Sequence, residues 1–260
     1  SSEKNEIIEG LDRRAIQPYL ADLKENDPWW AKTDNNWCTC IVGGLAIAAM
    51  SLKEEHPQSK ELIDIAIPRF QYHIESLGAE GEFNEGVGYA GAMILGTDYF
   101  TAYASYTKGE HQCLAEHPFP QNALWYLYMT VPPGHLVAFG DAKARAPLKG
   151  NWVATIAHAA QDGLLQWYYH RYHTRTADPF DLLYYDSNLE EIDPEGTLPK
   201  GRAFRDHGAC ISSRSSWDSS APVSVVMSKA RREDNHEHND IGQVCIDGYG
   251  RQLIVDLGVY

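Results

Sequence analysis

The chain is 260 residues long, with 22 Lys and Arg against 36 Asp and Glu, a formal net charge of −14 and an isoelectric point near 5.1. This balance argues against nucleic acid as a partner, since phosphate binding needs a basic face; an acidic ligand would have to be met by local positive charge or amide donors. A hydrophobic fraction of 43% supports one large domain or two smaller ones, and no apolar run reaches membrane-spanning length, the longest being Ile41 to Met50.

Residues 3 to 24 carry Ile7, Ile8, Leu11, Ala15 and Leu23 at helical spacing, which predicts an amphipathic helix ended by Asn26-Asp27-Pro28. Thr33-Asp34-Asn35-Asn36 then offers N-caps for a second helix from Trp37 to about Leu52. That helix is apolar nearly all round and is expected to be buried, with Gly43-Gly44 leaving room for another backbone. A third helix is expected over 59 to 76, with a kink at Pro68. Gly78 to Gly88 reads as a glycine- and glutamate-rich loop, followed by a long helix from about Tyr89 to Tyr106. Further helices are predicted near 121 to 130 and 151 to 170, separated by loops at Val131-Pro132-Pro133-Gly134 and Phe139-Gly140-Asp141. Successive helices joined by loops suggest a helical array or toroid.

The composition changes after Tyr185. Residues 186 to 201 read as a linker, and short β-branched runs follow at Ala209-Cys210-Ile211, Val223 to Met227, Gln243 to Ile246 and Leu253 to Val255. Helices first and strands second indicate two segregated layers or two domains: a helical part over 1 to 185, then a β part from 202 to 260. The β part stops directly after a strand and is short for an independent sheet, so the chain is expected to be a fragment of a longer one. The five cysteines show neither zinc-ribbon nor thioredoxin spacing and read as small buried hydrophobes.

Near the end, His236-x-His238-x-Asp240 precedes a hairpin pattern with its turn at Asp247-Gly248-Tyr249-Gly250. A turn centred near Tyr249 would return Asp256 beside Gly242, so His236, His238, Asp240 and Asp256 would converge at one end of the hairpin. Converging imidazoles and carboxylates suit a divalent ion such as zinc; a polar loop whose histidines face water is the competing reading.

Asn35-Asn36-Trp37 with Gly43-Gly44, then Glu85-Gly86-Val87-Gly88-Tyr89, Phe139-Gly140-Asp141, Arg214-Ser215-Ser216-Trp217-Asp218, His236-x-His238-x-Asp240 and Val255-Asp256-x-Gly258 together resemble, in that order, the heparinase II/III-type polysaccharide lyases. The resemblance covers most of residues 34 to 260. It implies an α+β multidomain fold, here an incomplete (α/α) toroid followed by the start of an antiparallel β-sandwich. It also implies a carbon–oxygen lyase, periplasmic or secreted, that cleaves an alginate-like or glycosaminoglycan chain by β-elimination. A uronate C5-epimerase and an inactive carbohydrate-binding protein are the rival readings. The implied partner is an acidic polysaccharide, with neither nucleic acid nor membrane; a homo-oligomer stays open.

Elimination at a uronic acid has three needs: neutralisation of the carboxylate whose α-carbon loses its proton, a base for that C5 proton, and an acid for the leaving O4. By resemblance Asn36 contacts the carboxylate, although an Asn at this place also suits helix capping, a task Asn35 can take instead. Trp37 stands where relatives often have a His. Tyr89 matches the family's acid, base or both; serving as a base near neutral pH would require a lowered phenol pKa, which a helix N-terminus and a cation such as Arg214 or a protonated His236 would favour. His236 matches a substrate-facing histidine able to act as base. Trp37, Glu85 and Arg214 are the expected substrate-binding residues, with Glu85 read alternatively as a solvated loop charge and Arg214 as a residue pinned between domains. His238 and Asp256 match zinc ligands, the third of which would lie beyond Tyr260. Asp240 is expected to orient an imidazole.

Overall fold

The computed structural model describes residues 2–90, 93–110, 113–145, 148, 151–173, 183–207, 210–218, 223–229, 235–236 and 238–258. Ala209, Glu237 and Tyr260, which belong to stretches singled out above, lie outside the described residues. The architecture is α plus β, with helices first and an antiparallel sheet after them. Contacts divide the chain into two compact units: residues 1–76 with 98–111, and residues 77–97 with 112–260. The expected linker therefore runs inside the second unit.

In the first unit, α1 (Ser2–Leu11) and α2 (Gln17–Glu25) are joined through a π-helical turn, Asp12–Ile16, and the chain leaves α2 where expected, with Asp27 at φ 43°. Residues Cys38–Gly43 form a second π turn that runs into α3 (Gly44–Leu52). Despite its apolar sequence this helix is buried on one face only, through Cys38, Val42, Ala46, Ala49 and Met50; Cys40 and Gly44 are exposed. That face packs against α4 (Ser59–Glu75), which contributes Leu62, Ile63, Ala66 and Phe70, the i, i+4 stripe of an amphipathic helix. Gly43 makes room for a ring rather than a backbone: a Cβ there would meet Phe70 at 2.9 Å. Phe70 stacks at 3.7 Å on Tyr99, a residue of α6 (Met93–Tyr106).

In the second unit, the short α5 (Gly86–Tyr89) precedes α6, and α7 (Phe119–Tyr128) leads into a small hairpin, β1 (Thr130–Val131) with β2 (His135–Leu136). The stretch expected as one helix over 151 to 170 is broken into α8 (Trp152–Ala160) and α9 (Gly163–Tyr172). Gln161 takes a left-handed φ of 51° between them, and the Asp162 side chain caps the second helix by accepting from Leu164 and Leu165 N–H.

The sheet has the order β3 (Gly201–Phe204), β4 (Cys210–Arg214), β5 (Ser224–Lys229), β6 (Val244–Gly248), β7 (Arg251–Ile254), all antiparallel neighbours. β3 was not among the expected strands; of its residues only Phe204 is buried. Residues 186 to 201 are mostly irregular, as expected of a linker, but they are fastened: Ile192 N–H donates to Gly163, Tyr128 Oη to the Pro199 carbonyl, and Trp217 N–H to Glu195. Tyr128 and Trp217 meet edge to face at 5.2 Å, and Ser212 Oγ donates to the Tyr128 carbonyl at 2.8 Å, so the sheet is docked on the end of α7.

Among the cysteines, Cys38, Cys210 and Cys245 are buried as expected, but Cys40 is exposed. Burial pushes the Cys38 thiol up to about 12 and the Cys245 thiol up to about 11, which marks both as packing groups rather than nucleophiles.

Candidate active site

The site is built in the second unit from three stretches: the glycine loop with α5, the Phe139-Gly140-Asp141 loop, and the His236 to Asp240 segment. The first is not the solvated loop its composition suggests. Residues 81 to 87 are all buried. Gly81, at φ 82°, presses on the start of α7, where a Cβ would meet Asn122 N at 2.2 Å, and the Asn122 amide donates back to the Gly81 carbonyl at 2.7 Å. Glu82 accepts from the backbone N–H groups of Glu80, Arg205 and Asp206, tying the loop to the end of β3. These contacts hold Glu85 inside, its side chain fully buried, and present the half-buried Tyr89 at the end of α5.

The second stretch carries a residue to which the sequence reading gave no role, Asp141. Two glycines of the sequence motifs set its loop. A Cβ on Gly88 would meet the Ala142 backbone at 2.8 Å, and one on Gly258 would meet the Ala142 carbonyl oxygen at 1.9 Å. Gly258 also forms an isolated antiparallel bridge with Lys143. The loop thus lies directly on α5 on one side and on the chain after β7 on the other, an approach only glycine permits. Gly140 N–H donates to Asp240 Oδ2 at 3.2 Å, while Asp240 Oδ1 accepts at 2.7 Å from Lys229, whose side chain is fully buried. Asp240 therefore orients the Asp141 loop, not an imidazole.

Asp141 draws the histidines together. His236 Nδ1 lies 2.7 Å from Asp141 Oδ2, and His238 Nε2 lies 2.9 Å from Oδ1. A carboxylate only accepts, so both ring nitrogens donate, which fixes His236 as protonated on Nδ1 and His238 as protonated on Nε2. Burial opposes ionisation of Asp141, but the hydrogen bonds and charges of the two histidines outweigh it and hold its pKa below the ordinary 3.8. His236 itself sits at φ 53°, a left-handed conformation that costs an L-residue energy and clusters at functional sites. That backbone lays the imidazole flat on the Tyr89 ring, with centroids 3.8 Å apart and planes within 16°. Its Nε2 faces Glu85 Oε1 at 3.3 Å, and Asn235 ties the segment down by donating to the same oxygen at 3.1 Å.

Tyr89 departs from the expectation of a lowered pKa. Burial, and then the charges of Asp141 and Glu85, raise its phenol above the ordinary 10.0. It stands at the C-terminal end of a four-residue helix, not at a helix N-terminus. Arg214, the expected nearby cation, is elsewhere: it is 4% exposed, donates from Nη2 to the carbonyls of Tyr128 and Thr130 at 3.3 and 3.1 Å, and lies 3.8 Å over Trp217. Burial lowers its guanidinium to about 10, so it stays charged at neutral pH as a structural cation. A guanidinium so enclosed cannot fork a polysaccharide carboxylate, and the substrate-binding role expected for Arg214 is corrected to a packing one. Glu85 is likewise no solvated loop charge.

The hairpin forms with Tyr249 and Gly250 as a two-residue turn, both at positive φ. A register shift between Ile246 and Asp247 puts one extra residue on the returning strand, pairing Ile246 with Ile254, so later residues lie nearer the turn than a regular hairpin would place them. Asp256 then lies against Cys245 rather than beside Gly242, and its carboxylate accepts from Gly258 N–H at 2.9 Å. Among the described residues no group of three or more His, Cys, Asp or Glu is gathered to hold a metal ion. Zinc takes three or four protein ligands, and His238 Nε2 is already on Asp141. On His238 this leaves Nδ1 as the nitrogen that could ligate an ion.

Asn36 and Trp37 belong to the first unit. There His73 Nδ1–H donates to the Asp34 carbonyl at 2.9 Å, Asn35 Oδ1 caps Trp37 N–H at 3.1 Å, and Thr39 Oγ1 donates to the Asn36 carbonyl at 3.0 Å. The capping task thus falls to Asn35. Trp37 is 46% exposed, edge-on to the exposed Trp29 at 5.2 Å.

The buried Lys229–Asp240 pair gives a direct check on how the Asp141 loop is held. Asp240→Ala removes the carboxylate from a buried ammonium and is expected to destabilise the fold by about 3–5 kcal/mol, read by urea unfolding. A loss under about 1 kcal/mol would mean that the pair contributes no more than a surface ion pair.

No family model and no curated protein matches the sequence. By structure, the chain has the fold of a segment of a polysaccharide lyase. The solved proteins that show this are heparan sulfate lyase HepC from Pedobacter heparinus (TM-score 0.58, 16% identity) and a mutant of it (TM-score 0.60, 18% identity). The likeness covers 85% of this chain and 32% of theirs, so the chain spans about a third of the length of those lyases.

Proposed function

We propose that the chain is the catalytic part of a polysaccharide lyase that cleaves a uronic-acid-containing chain, alginate-like or glycosaminoglycan, by β-elimination, its helices forming part of an (α/α) toroid. The observation that carries this reading is the stack of Tyr89 on His236 with Asp141 behind it. It sets an acid and a base side by side, as removal of H5 and protonation of O4 require.

The raised phenol assigns the roles. Tyr89 keeps its proton through neutral pH and acts as the acid. Asp141 holds the Nδ1 proton of His236, which leaves Nε2 as the basic nitrogen, with the Glu85 carboxylate 3.3 Å away. Nε2 takes the C5 proton, the C5–H electron pair becomes the C4=C5 double bond, the C4–O4 bond breaks, and O4 leaves with the Tyr89 proton.

The sign of the pH dependence tests the assignment. An acid is active while protonated, so the raised pKa of Tyr89 shifts its loss to higher pH. The value of kcat/KM is expected to show no Tyr89-linked decline from neutral pH to about 10 and to fall above it; a rise through that window would make Tyr89 a base. A reaction in heavy water separates the rival chemistries by mass spectrometry. A lyase gives unsaturated fragments, an epimerase gives intact chains carrying deuterium at C5, and a binding protein gives neither.

A further inference from the structure

A cavity of about 710 Å³ opens between the turn after β1 and the β6–β7 turn of the second unit, lined by Arg145, Arg251, His135 and Gln252, with Gly134 and Gly250 at its backbone. We infer that it is a subsite for a second anionic sugar of the polysaccharide, held through its carboxylate or sulfate; this rests on the proposed lyase function.

Four features support the assignment. In a chain of net charge −14, the lining among the described residues holds two arginines and a histidine and neither Asp nor Glu. Such a patch is the local positive charge that an acidic ligand needs on an acidic protein, and arginine is the side chain suited to a two-pronged grip on a carboxylate or sulfate. Arg145 is also built into place: its backbone is left-handed at φ 59°, and its Nε donates to Gln252 Oε1 at 2.9 Å. Both partners line the cavity, so this bond holds the guanidinium at its wall and leaves its terminal nitrogens uncommitted by Gln252. His135 is backed by the buried Asp247 at 3.4 Å and by Gln252 Nε2 at 3.3 Å, so the wall behind the arginines is a fixed polar layer.

Size and position point to a saccharide rather than a lone inorganic ion. A cavity of this volume is in the range that takes a ligand of a few rings, and Tyr249, next to Gly250 in the turn, is 77% exposed and offers an aromatic face at the same end of the sheet. Arg145 is four residues from Asp141, a span of at most about 14 Å even fully extended. A chain reacting at Tyr89 and His236 therefore reaches this cavity within a few sugar rings.

The test compares wild type with Arg145→Ala, Arg251→Ala and Arg145→Lys on a unit-length ladder of unsulfated uronan oligosaccharides, a sulfated glycosaminoglycan ladder and a neutral glucan ladder. Turnover and calorimetric binding are both read, and melting temperature serves as the control for folding. The alanine variants are expected to weaken binding and raise KM about tenfold for long acidic oligosaccharides. The shortest cleavable ones and kcat should be unchanged, and Arg145→Lys should fall between. Loss on the unsulfated ladder assigns the carboxylate, and loss on the sulfated ladder alone assigns the sulfate. Equal effects on short and long chains, or on the neutral ladder, overturn the subsite while leaving the lyase reading intact. Arginine-dependent binding of acidic chains with no unsaturated product from wild type overturns the lyase reading and keeps the cavity as an anionic-sugar site.

Discussion

Tyr89→Phe is expected to lower formation of unsaturated product by about a hundred- to ten-thousandfold, the range for loss of a positioned general acid. The substitution removes only the hydroxyl. The ring remains, so the stack on His236 at 3.8 Å is preserved and binding of a saturated oligosaccharide should change little. Substrates whose leaving group is already a good one should be spared most, because a good leaving group needs no proton. A Phe variant with near-wild-type rates on a poor leaving group would take Tyr89 out of the mechanism.

Asp141→Asn should have an effect of similar size, on the order of a thousandfold or more, by analogy with loss of the carboxylate that sets a catalytic imidazole's tautomer. An asparagine amide can present N–H to His236 Nδ1 where the carboxylate only accepts. That would place the imidazole proton on Nε2, the nitrogen needed as base. The amide oxygen can still accept from His238 Nε2, which lies 2.9 Å from Asp141 Oδ1, so the change falls on His236. Stability should respond with a defined sign. The folded pKa of Asp141 lies below 3.8, so its contribution is fully present above that value and is lost as pH falls through the lower folded pKa. The Asn variant should show none of that acid-side loss. Equal activity of Asp141→Asn and wild type would leave the carboxylate as a loop anchor only.

Much of this site could be read in the sequence as residues but not as an arrangement. The helix-then-strand order, the helix over 59 to 76 and the hairpin turn at Tyr249 followed from periodicity and turn chemistry, which are local properties. Tyr89 and His236 stood out through motifs, whereas Asp141 passed as part of a loop. Its importance comes from two backbone contacts, Gly88 and Gly258 on Ala142, between stretches about 50 and 115 residues away in sequence. Two glycines in two motifs, Gly88 and Gly258, were the available signal, because each marks a place where another stretch of backbone comes close. Between a substrate fork and a pinned structural residue the sequence left Arg214 open, because an arginine in a motif carries no mark of burial; its partners are main-chain carbonyls of Tyr128 and Thr130, which no side-chain pattern reveals. The return of Asp256 to Gly242 assumed a regular hairpin, and the irregularity between Ile246 and Asp247 moved it. The direction of the Tyr89 shift was missed for a related reason: the acids beside it, Asp141 and Glu85, are brought in by folding, while the expected cation is sequestered.

The most direct measurement of the central claim is the ultraviolet absorbance of a 4,5-unsaturated uronate when the wild-type protein is mixed in turn with alginate-like and glycosaminoglycan chains. A steady rise is expected with at least one of them, absent in Tyr89→Phe under the same conditions. A flat trace with every uronan that the protein demonstrably binds would contradict it.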